Sequence, residues 1–185
     1  MVVCAVSGVA ASGKTTLCQK LGPKMGYAVL DLKEFIKTEG LAQSYDKSSH
    51  TMDVDVSHLV ERFEKIGLNS NTLVDGLLSH HLPVSHVIIL RANPELLYER
   101  MLCRGYPMDK ILENLEAEYL ATITRECGDK KNVLEIDSSK PKYNEIRGFL
   151  KQGGRSLINP DWSEQFQKTL LNARPMRGSQ EPKTL

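Results

Sequence analysis

The feature that most constrains this 185-residue chain is a glycine-rich segment close to its start. The segment runs from Gly8 to Thr15 and fits the pattern G-x-x-x-x-G-K-[ST]. An apolar run at Val2–Val6 precedes it, and a helical pattern over Lys14–Met25 follows it. Glycines let backbone N–H groups turn towards an anion, and the positive end of the next helix favours the same anion. The segment therefore predicts a phosphate-binding loop between the first strand and the first helix.

Apolar runs alternate with helical patterns along the rest of the chain, which is typical of a parallel sheet. We predict strands at Val2–Val6, Tyr27–Leu30, Thr72–Val74, His86–Leu90 and Val133–Ile136. We predict helices over Lys14–Met25, Leu32–Glu39, Val54–Ile66, Met108–Ala121 and Tyr143–Leu150, with another beginning at Pro94 and a polar loop with some helix over Leu41–Asp53. This order predicts an α/β fold with a five-stranded parallel sheet and helices on both faces.

The pattern changes after Leu150, where Gly153 and Gly154 interrupt it. We expect a phosphate-loop domain over residues 1–150 and an appendage over residues 151–185. The appendage carries six basic and three acidic residues, a local charge of +3, and has a helical apolar pattern around Trp162–Leu171. We predict a docking helix followed by a flexible tail.

Composition excludes several classes of protein. A hydrophobic fraction of 41% supports a packed core, and a net charge of +1 gives no basic field for general nucleic-acid binding. No apolar run approaches the roughly 20 residues that span a bilayer, and no secretory signal is predicted. The spacing of the cysteines fits no zinc site, so we expect reduced, mostly buried thiols at Cys4, Cys18, Cys103 and Cys127. We therefore expect a cytoplasmic protein, or a nuclear one in a eukaryote.

The motif also suggests roles for single residues. Lys14 would reach the β- and γ-phosphates of a nucleotide, and Thr15 would offer its hydroxyl to Mg²⁺. Asp75 ends a predicted strand, where it could act as a magnesium carboxylate or as a turn cap. A phosphate loop alone does not define the reaction. A guanine-reading sequence is absent, and the chain length fits small-molecule phosphotransferases best.

Further motifs follow in a consistent order: Asp31–Leu41, Ser44–Asp46, Met52–Asp55, Leu73–Gly76, Ser79–Pro83, Val87–Arg91, Tyr98–Arg100 and Arg104–Tyr106. Over residues 2–150 they resemble the adenylate kinase isoenzyme 6 family, which includes a yeast ribosome-assembly factor and archaeal relatives. The resemblance implies a phosphate-loop NTPase fold of the nucleoside monophosphate kinase type, with a short lid. It implies phosphoryl transfer from ATP with Mg²⁺ (ATP + AMP = 2 ADP) and a weak ATPase activity. It also implies maturation of small-subunit ribosomal RNA, with a platform ribosomal protein and pre-rRNA as partners.

The resemblance also implies roles for individual positions. It places the monophosphate-binding segment at residues 31–54 and the lid at residues 103–113. The implied catalytic cations are Lys14, Arg100 and Arg104. The implied ATP-binding residues are Gly8, Ala11, Ser12, Gly13, Lys14, Thr15, Thr16, Arg104 and Lys140. The implied acceptor-binding residues are Asp31, Lys37 and Asp53, and the implied metal-binding residues are Thr15 and Asp75.

The chain departs from the family pattern at three places. Val9-Ala10-Ala11 replaces Thr-Pro-Gly in the loop, and alanine at position 11 lacks the freedom of glycine at positive φ. Lys37 replaces an arginine and cannot form a bidentate contact with a phosphate. Leu77 replaces a histidine linked to ATP hydrolysis, and either His80 or His81 could substitute only if the turn folds back.

Other polar residues have simpler interpretations. Arg100 and Arg104 could form only a solvated basic face, although their spacing of four places them together on a helix. Asp53 and Asp55 are expected to cap the next helix rather than to bind a metal. The isolated histidines, which we expect to be exposed or satisfied within the core, are His50, His58 and His86.

Three functions remain open. The first is a nucleoside monophosphate kinase, and the second is an ATP-switched assembly factor with residual kinase activity. The third is a kinase of another small metabolite, because many such enzymes share a phosphate loop and lid arginines.

Overall fold

The computed structural model describes residues 1–46 and 51–173, and its centre is a fully parallel sheet. The strands of the sheet are β1 Val3–Ser7, β2 Ala28–Asp31, β5 Thr72–Asp75, β6 His86–Arg91, β7 Val133–Asp137 and β8 Arg155–Ser156. A separate antiparallel pair consists of β3 Ala42–Asp46 and β4 Thr51–Val54. The spatial order of the sheet is β2-β5-β1-β6-β7-β8. The five predicted strands are confirmed, and the two-residue β8 adds a sixth that was not predicted.

Helices alternate with the strands. They are α1 Lys14–Met25, α2 Leu32–Thr38, α3 Val56–Lys65, α4 Pro94–Cys103, α5 Met108–Tyr119, α6 Thr122–Glu126, α7 Tyr143–Gln152 and α8 Ser163–Ala173, with a 3-10 turn at Ser79–His81. The predicted helix over residues 108–121 ends early because Ala121 adopts the left-handed conformation, at φ 51°. A separate short helix, α6, then begins. No helix in the described ranges is long and apolar enough to cross a membrane.

The sheet is covered on both faces because neighbouring residues of a strand point to opposite sides. On one face, Cys4 and Val6 of β1 pack with apolar side chains of α1 and α7. On the other face, Ala5 packs with side chains of α4, α5 and α6. Helices α2 and α3 form a third cluster around Val74 of β5. The predicted α/β fold with helices on both faces is confirmed.

The prediction of a polar loop with some helix over residues 41–53 is wrong. This stretch contains β3 and β4, which pair as neighbouring antiparallel strands although their residues are mostly polar and show no continuous apolar run. The next helix begins at Val56 rather than Val54. Asp55 is its cap and accepts hydrogen bonds from the N–H groups of Ser57 and His58. Asp53, which was also expected to cap this helix, lies in β4.

The segment after residue 150 packs on the rest of the chain. β8 pairs with β7 at the sheet edge, and α8 packs against α4 and α5. Phe166 of α8 stacks on Tyr119 with a centroid distance of 4.3 Å, and the ring of Trp162 lies 5.4 Å from the guanidinium of Arg91. A helix, α8, lies within the stretch where the docking helix was predicted, and the docking role stays a prediction. The division of the chain at residue 150 stays a prediction, and the predicted tail after α8 lies outside the described residues.

Candidate active site

The predicted phosphate loop joins β1 to α1 at the carboxyl edge of the sheet, where ligands of open α/β folds bind. Gly8 has a φ of 145°, and a Cβ there would lie 2.6 Å from Ser12 Oγ and 2.7 Å from the carbonyl oxygen of Leu90. Gly13 has a φ of 105° and immediately precedes α1. Both glycines are therefore required by the backbone path of the loop.

Ala11 adopts a left-handed conformation, at φ 61°, although it lacks the freedom of glycine. Two side chains from distant helices hold the loop in this shape. The carbonyl oxygen of Ala11 accepts a hydrogen bond from Arg100 Nη1 at 3.1 Å, and the N–H of Ala10 donates to Asn114 Oδ1 at 2.9 Å. Tertiary contacts thus support a conformation that alanine by itself disfavours.

The Lys14 ammonium lies inside the loop. Its Nζ donates to the carbonyl oxygens of Gly8 at 2.8 Å and Val9 at 2.9 Å. Burial lowers the pKa of Lys14 to about 8, although the negative charge of Asp75 opposes this shift. The amine is still mostly protonated at neutral pH, so it can meet the charge of a phosphate.

A cavity of about 400 Å³ opens beside the loop. Its lining includes residues of the loop, of α1, of the lid region and of the segment after β7: Ala11, Ser12, Gly13, Thr16, Leu17, Lys20, Leu90, Arg100, Arg104, Ser138, Ser139, Pro141 and Tyr143. Within the described ranges, Ser12 Oγ and Ser138 Oγ are buried without a hydrogen-bond partner. A buried hydroxyl normally has a partner, so these two suit a polar ligand. The cavity combines cations, hydroxyls and an aromatic ring, which are groups that can bind a nucleotide.

The two predicted lid arginines converge on this cavity. Arg100 is half-buried in α4 and contacts the loop through Ala11, while Arg104 is exposed at the end of the same helix. Arg104 is close enough to Lys14 for its charge to lower the pKa of that amine. Lys140 is exposed and is not part of the cavity lining, although Ser139 and Pro141 on either side of it are. The roles predicted for these cations remain predictions.

Asp75 and Thr15 lie together at the end of β5. Asp75 is buried and receives a hydrogen bond from the Thr15 hydroxyl. Burial raises the pKa of Asp75, while Thr15 and the Lys14 ammonium act in the opposite direction. A hydroxyl and a buried carboxylate are hard oxygen donors, which fit Mg²⁺. A bound cation would also offset the cost of burying the carboxylate.

The three predicted acceptor-binding residues make local contacts instead of lining the cavity. Asp31 pairs with Asp75 in the sheet register, but its carboxylate caps α2 by accepting from Glu34 N at 3.0 Å. Lys37 is about half exposed and lies 3.7 Å from the carboxylate of Glu34. Asp53 accepts a 2.5 Å hydrogen bond from the hydroxyl of Ser44, across the β3–β4 pair. The structure therefore does not bring these three side chains together at the loop.

The histidines near Asp75 do not replace the one missing at position 77. Leu77 is 48% exposed, whereas the His80 ring is buried. His80 Nδ1 lies 3.0 Å from both Ser7 Oγ and the Leu77 carbonyl oxygen, and Nε2 lies 2.8 Å from Glu126 Oε2. Burial lowers the pKa of His80, and the neighbouring His81 lowers it further. Both ring nitrogens of His80 are thus engaged by groups outside the cavity.

The other histidines within the described residues are exposed or packed in the core, as predicted. His58 is exposed on α3. His86 is buried in β6 and packs edge-on against Phe149, with a centroid distance of 5.1 Å. His50 lies outside the described residues.

Two structural features near the site were not predicted from the sequence. Asn114 of α5 holds the loop through Ala10, and only its place on a helix after the lid could have suggested it. The second feature is a buried ion-pair network in which Arg91 contacts Glu118 at 2.6 Å and Glu135 at 2.7 Å. The sequence feature that could have indicated this network is a charged residue at the end of a buried strand. The network fixes the end of β6 beside the loop.

Comparisons with known proteins agree with this geometry. Residues 4–121 match the family described as an AAA domain. A Thermococcus onnurineus protein named "Putative adenylate kinase" is 34% identical over 175 residues, covering 91% of this chain and 96% of that protein. A Pyrococcus abyssi protein of the same name is 34% identical over 172 residues, covering 90% of this chain and 94% of that protein.

Solved structures show the same fold at low identity. A deoxyadenosine kinase from M. mycoides with bound dATP matches with a TM-score of 0.53 and 16% identity, covering 82% of this chain and 100% of that one. A shikimate kinase from Acinetobacter baumannii in complex with shikimate matches with a TM-score of 0.55 and 14% identity, covering 82% of this chain and 92% of that one. The chain therefore belongs to the AAA-domain family and to the archaeal family whose members are named "Putative adenylate kinase".

Proposed function

We propose that the protein is an ATP- and Mg²⁺-dependent nucleoside monophosphate kinase that prefers AMP, by the reaction ATP + AMP = 2 ADP. The observation that carries this proposal is the cavity beside Lys14, where Arg100 and Arg104 meet the unpartnered hydroxyls of Ser12 and Ser138. The names of the archaeal relatives support the choice of reaction.

Phosphoryl transfer depends on alignment and on neutralising charge, and the chain supplies both. In the proposed reaction, Lys14 and the loop N–H groups hold the β- and γ-phosphates. The two arginines stabilise the negative charge that is shared between donor and acceptor in the transition state. Thr15 and Asp75 would hold Mg²⁺, which would supply positive charge to offset the negative charge of the phosphates.

A coupled assay of ADP formation tests the proposal. ATP and Mg²⁺ are supplied with AMP, CMP, dAMP or shikimate in parallel, and Lys14→Ala serves as the inactive control. We expect the highest kcat/KM with AMP. Transfer to shikimate in preference to every monophosphate would instead favour a kinase of another small metabolite.

We further propose that hydrolysis of ATP without an acceptor is slow. Hydrolysis needs a polar group that orients water in line with the γ-phosphate. Leu77 has no polar side-chain atom, and the His80 ring is buried against Ser7 and Glu126. We expect Leu77→His to raise the hydrolysis rate and His80→Ala to leave it unchanged. Wild-type hydrolysis as fast as AMP phosphorylation would contradict this proposal.

The role in small-subunit rRNA maturation is proposed on the resemblance of the sequence motifs alone. It predicts that a platform ribosomal protein with pre-rRNA binds the chain and changes its ATPase rate, in the cytoplasm or, in a eukaryote, the nucleus. The measurement is ATP hydrolysis with and without these partners. An unchanged rate together with fast AMP turnover would favour an enzyme with no assembly role.

A further inference from the structure

A cluster of three metal-ligating side chains lies outside the lining of the nucleotide cavity. His80 and His81 occupy that turn, and Glu126 ends α6. Glu126 Oε2 lies 2.8 Å from His80 Nε2 and 3.8 Å from His81 Nε2. The three residues can each offer one ligand atom, all within 4.8 Å of one another. Neither the phosphate loop nor the lid uses these groups.

The contacts of His80 hold its ring with Nε2 directed at the carboxylate of Glu126. Ser7 donates its hydroxyl hydrogen to the Leu77 carbonyl oxygen at 2.8 Å. His80 Nδ1 lies 3.0 Å from the oxygens of both Ser7 and Leu77, and a hydrogen on Nδ1 satisfies this arrangement. With that hydrogen on Nδ1, a neutral ring has the lone pair of Nε2 available to a metal.

This arrangement is the one found around metal-binding histidines. Such a histidine commonly donates its other ring N–H to a backbone carbonyl, which fixes the tautomer and the ring orientation. Here the Leu77 carbonyl has that position. Without a metal, a hydrogen on Nε2 makes the 2.8 Å contact with Glu126 favourable, and a bound metal would replace that hydrogen with Nε2 and Oε2 as neighbouring ligands.

We propose that His80, His81 and Glu126 bind a divalent transition-metal ion of the Zn²⁺ class. Two imidazole nitrogens and a carboxylate oxygen are a donor set that suits zinc, at distances of about 2.0–2.2 Å. His81 and Glu126 are 27% and 42% exposed, so their side chains can rotate to close the site and water can reach a fourth position. The buried His80 supplies the fixed ligand.

The site is chemically separate from the Mg²⁺ position. Thr15 and Asp75 offer only oxygen donors, whereas this cluster offers two nitrogens, which Mg²⁺ binds poorly. A metal here would join α6 to the turn that follows β5. Because His80 also contacts Ser7, the residue before Gly8, the metal would brace the start of the phosphate loop.

The test is titration of the nucleotide-free full chain with Zn²⁺ by calorimetry, in the presence of excess Mg²⁺. All proteins carry Cys103→Ser, because Cys103 is an exposed thiol that could bind zinc by itself. We expect one equivalent to bind, and His81→Ala or Glu126→Gln to weaken binding by at least about tenfold. The matched control is His58→Ala, which removes an exposed histidine elsewhere and should leave binding unchanged.

A second measurement protects the test against misfolded variants. Zn²⁺ should raise the unfolding temperature of the parent and the His58 variant, but not that of the His81 or Glu126 variants. Circular dichroism without metal establishes that each variant is folded, and His81→Gln replaces any alanine variant that is not. Absence of binding by the parent, or equal binding by the folded His81 and Glu126 variants, would overturn the proposal.

Discussion

The phosphate loop with the cavity beside it, here called the loop side, and the acceptor segment at residues 31–54 both carry charged residues. The two regions hold these residues in different ways. On the loop side, Arg100 in α4 and Arg104 at its end line the cavity beside the loop that holds Lys14. In the acceptor segment, Asp31 caps its own helix and Lys37 pairs with Glu34, three residues away. The loop side is already assembled, whereas the side-chain hydrogen bonds and ion pairs described for the acceptor residues lie within their own segment.

This difference predicts how the two regions respond to substitution. A group in an assembled site contributes to transition-state stabilisation, so its loss should lower kcat. A group that is exposed and locally paired should affect mainly the capture of the acceptor, and therefore KM for AMP. The substitutions below separate these two kinds of effect.

The largest effect is expected from Lys14→Ala. The ammonium lies where phosphate charge is shared in the transition state, so its loss should lower kcat by at least about a hundredfold. The fold should be retained, because the hydrogen bonds of the amine within the described residues go to the loop carbonyls of Gly8 and Val9. The measurements are steady-state kinetics and urea unfolding. A folded variant that keeps most of its activity would remove the phosphate-loop assignment.

We expect Arg104 to have a purely catalytic role and Arg100 to have a partly structural one. Arg104→Ala should lower kcat by about tenfold to a hundredfold with little change in the free energy of unfolding. Arg100→Ala should also destabilise the chain by about 1 kcal/mol, because it removes the hydrogen bond to Ala11. Kinetics and unfolding of both variants check this. Equal stability of the two variants would mean that the Arg100 contact does not support the loop.

The Lys14 amine should give the kinase an alkaline limit. Its lowered pKa of about 8 means that kcat/KM for ATP should fall as the pH rises through that value in the free enzyme. The free energy of unfolding should change in the opposite direction. Between about pH 8 and 10.5 the unfolded chain binds the proton that the folded chain has released, so the free energy of unfolding rises with pH.

Lys14→Met provides the control for the stability part, because other groups also titrate in this range. In this variant the free energy of unfolding should rise less steeply with pH, because the contribution of the Lys14 amine is missing. A flat kcat/KM profile of the wild type up to pH 10 would show that Lys14 stays protonated in the free enzyme.

The smallest effect is expected at Lys37. Arginine can hold a phosphate with two parallel hydrogen bonds, whereas lysine is a point charge. Lys37→Arg should therefore lower KM for AMP a few-fold while kcat and KM for ATP remain unchanged. The exposed Lys33→Arg on the same helix is a matched control. An unchanged or higher KM for AMP in the Lys37 variant would mean that this residue does not contact the acceptor.

Local patterns in the sequence predicted most of the fold but little of the structure of the acceptor segment. The buried strands and the phosphate loop were predictable because apolar runs and glycine spacing report on nearby residues. The β3–β4 pair was not, since its mostly polar residues form no apolar run and its stability depends on cross-strand pairing. Of the two aspartates expected to cap α3, Asp55 does so, whereas Asp53 lies in the strand pair that the pattern did not reveal.

The sequence by itself determined the phosphate loop, the parallel order of its strands and the residue types available for phosphoryl transfer. Only the tertiary structure decided how those residues are used. Ala11 keeps a left-handed backbone because Arg100 supports it, and His80 faces Glu126 rather than the cavity because Ser7 and Leu77 orient its ring. The physical reason is that hydrogen bonds and burial join residues far apart in the chain, whereas sequence patterns record only local preferences.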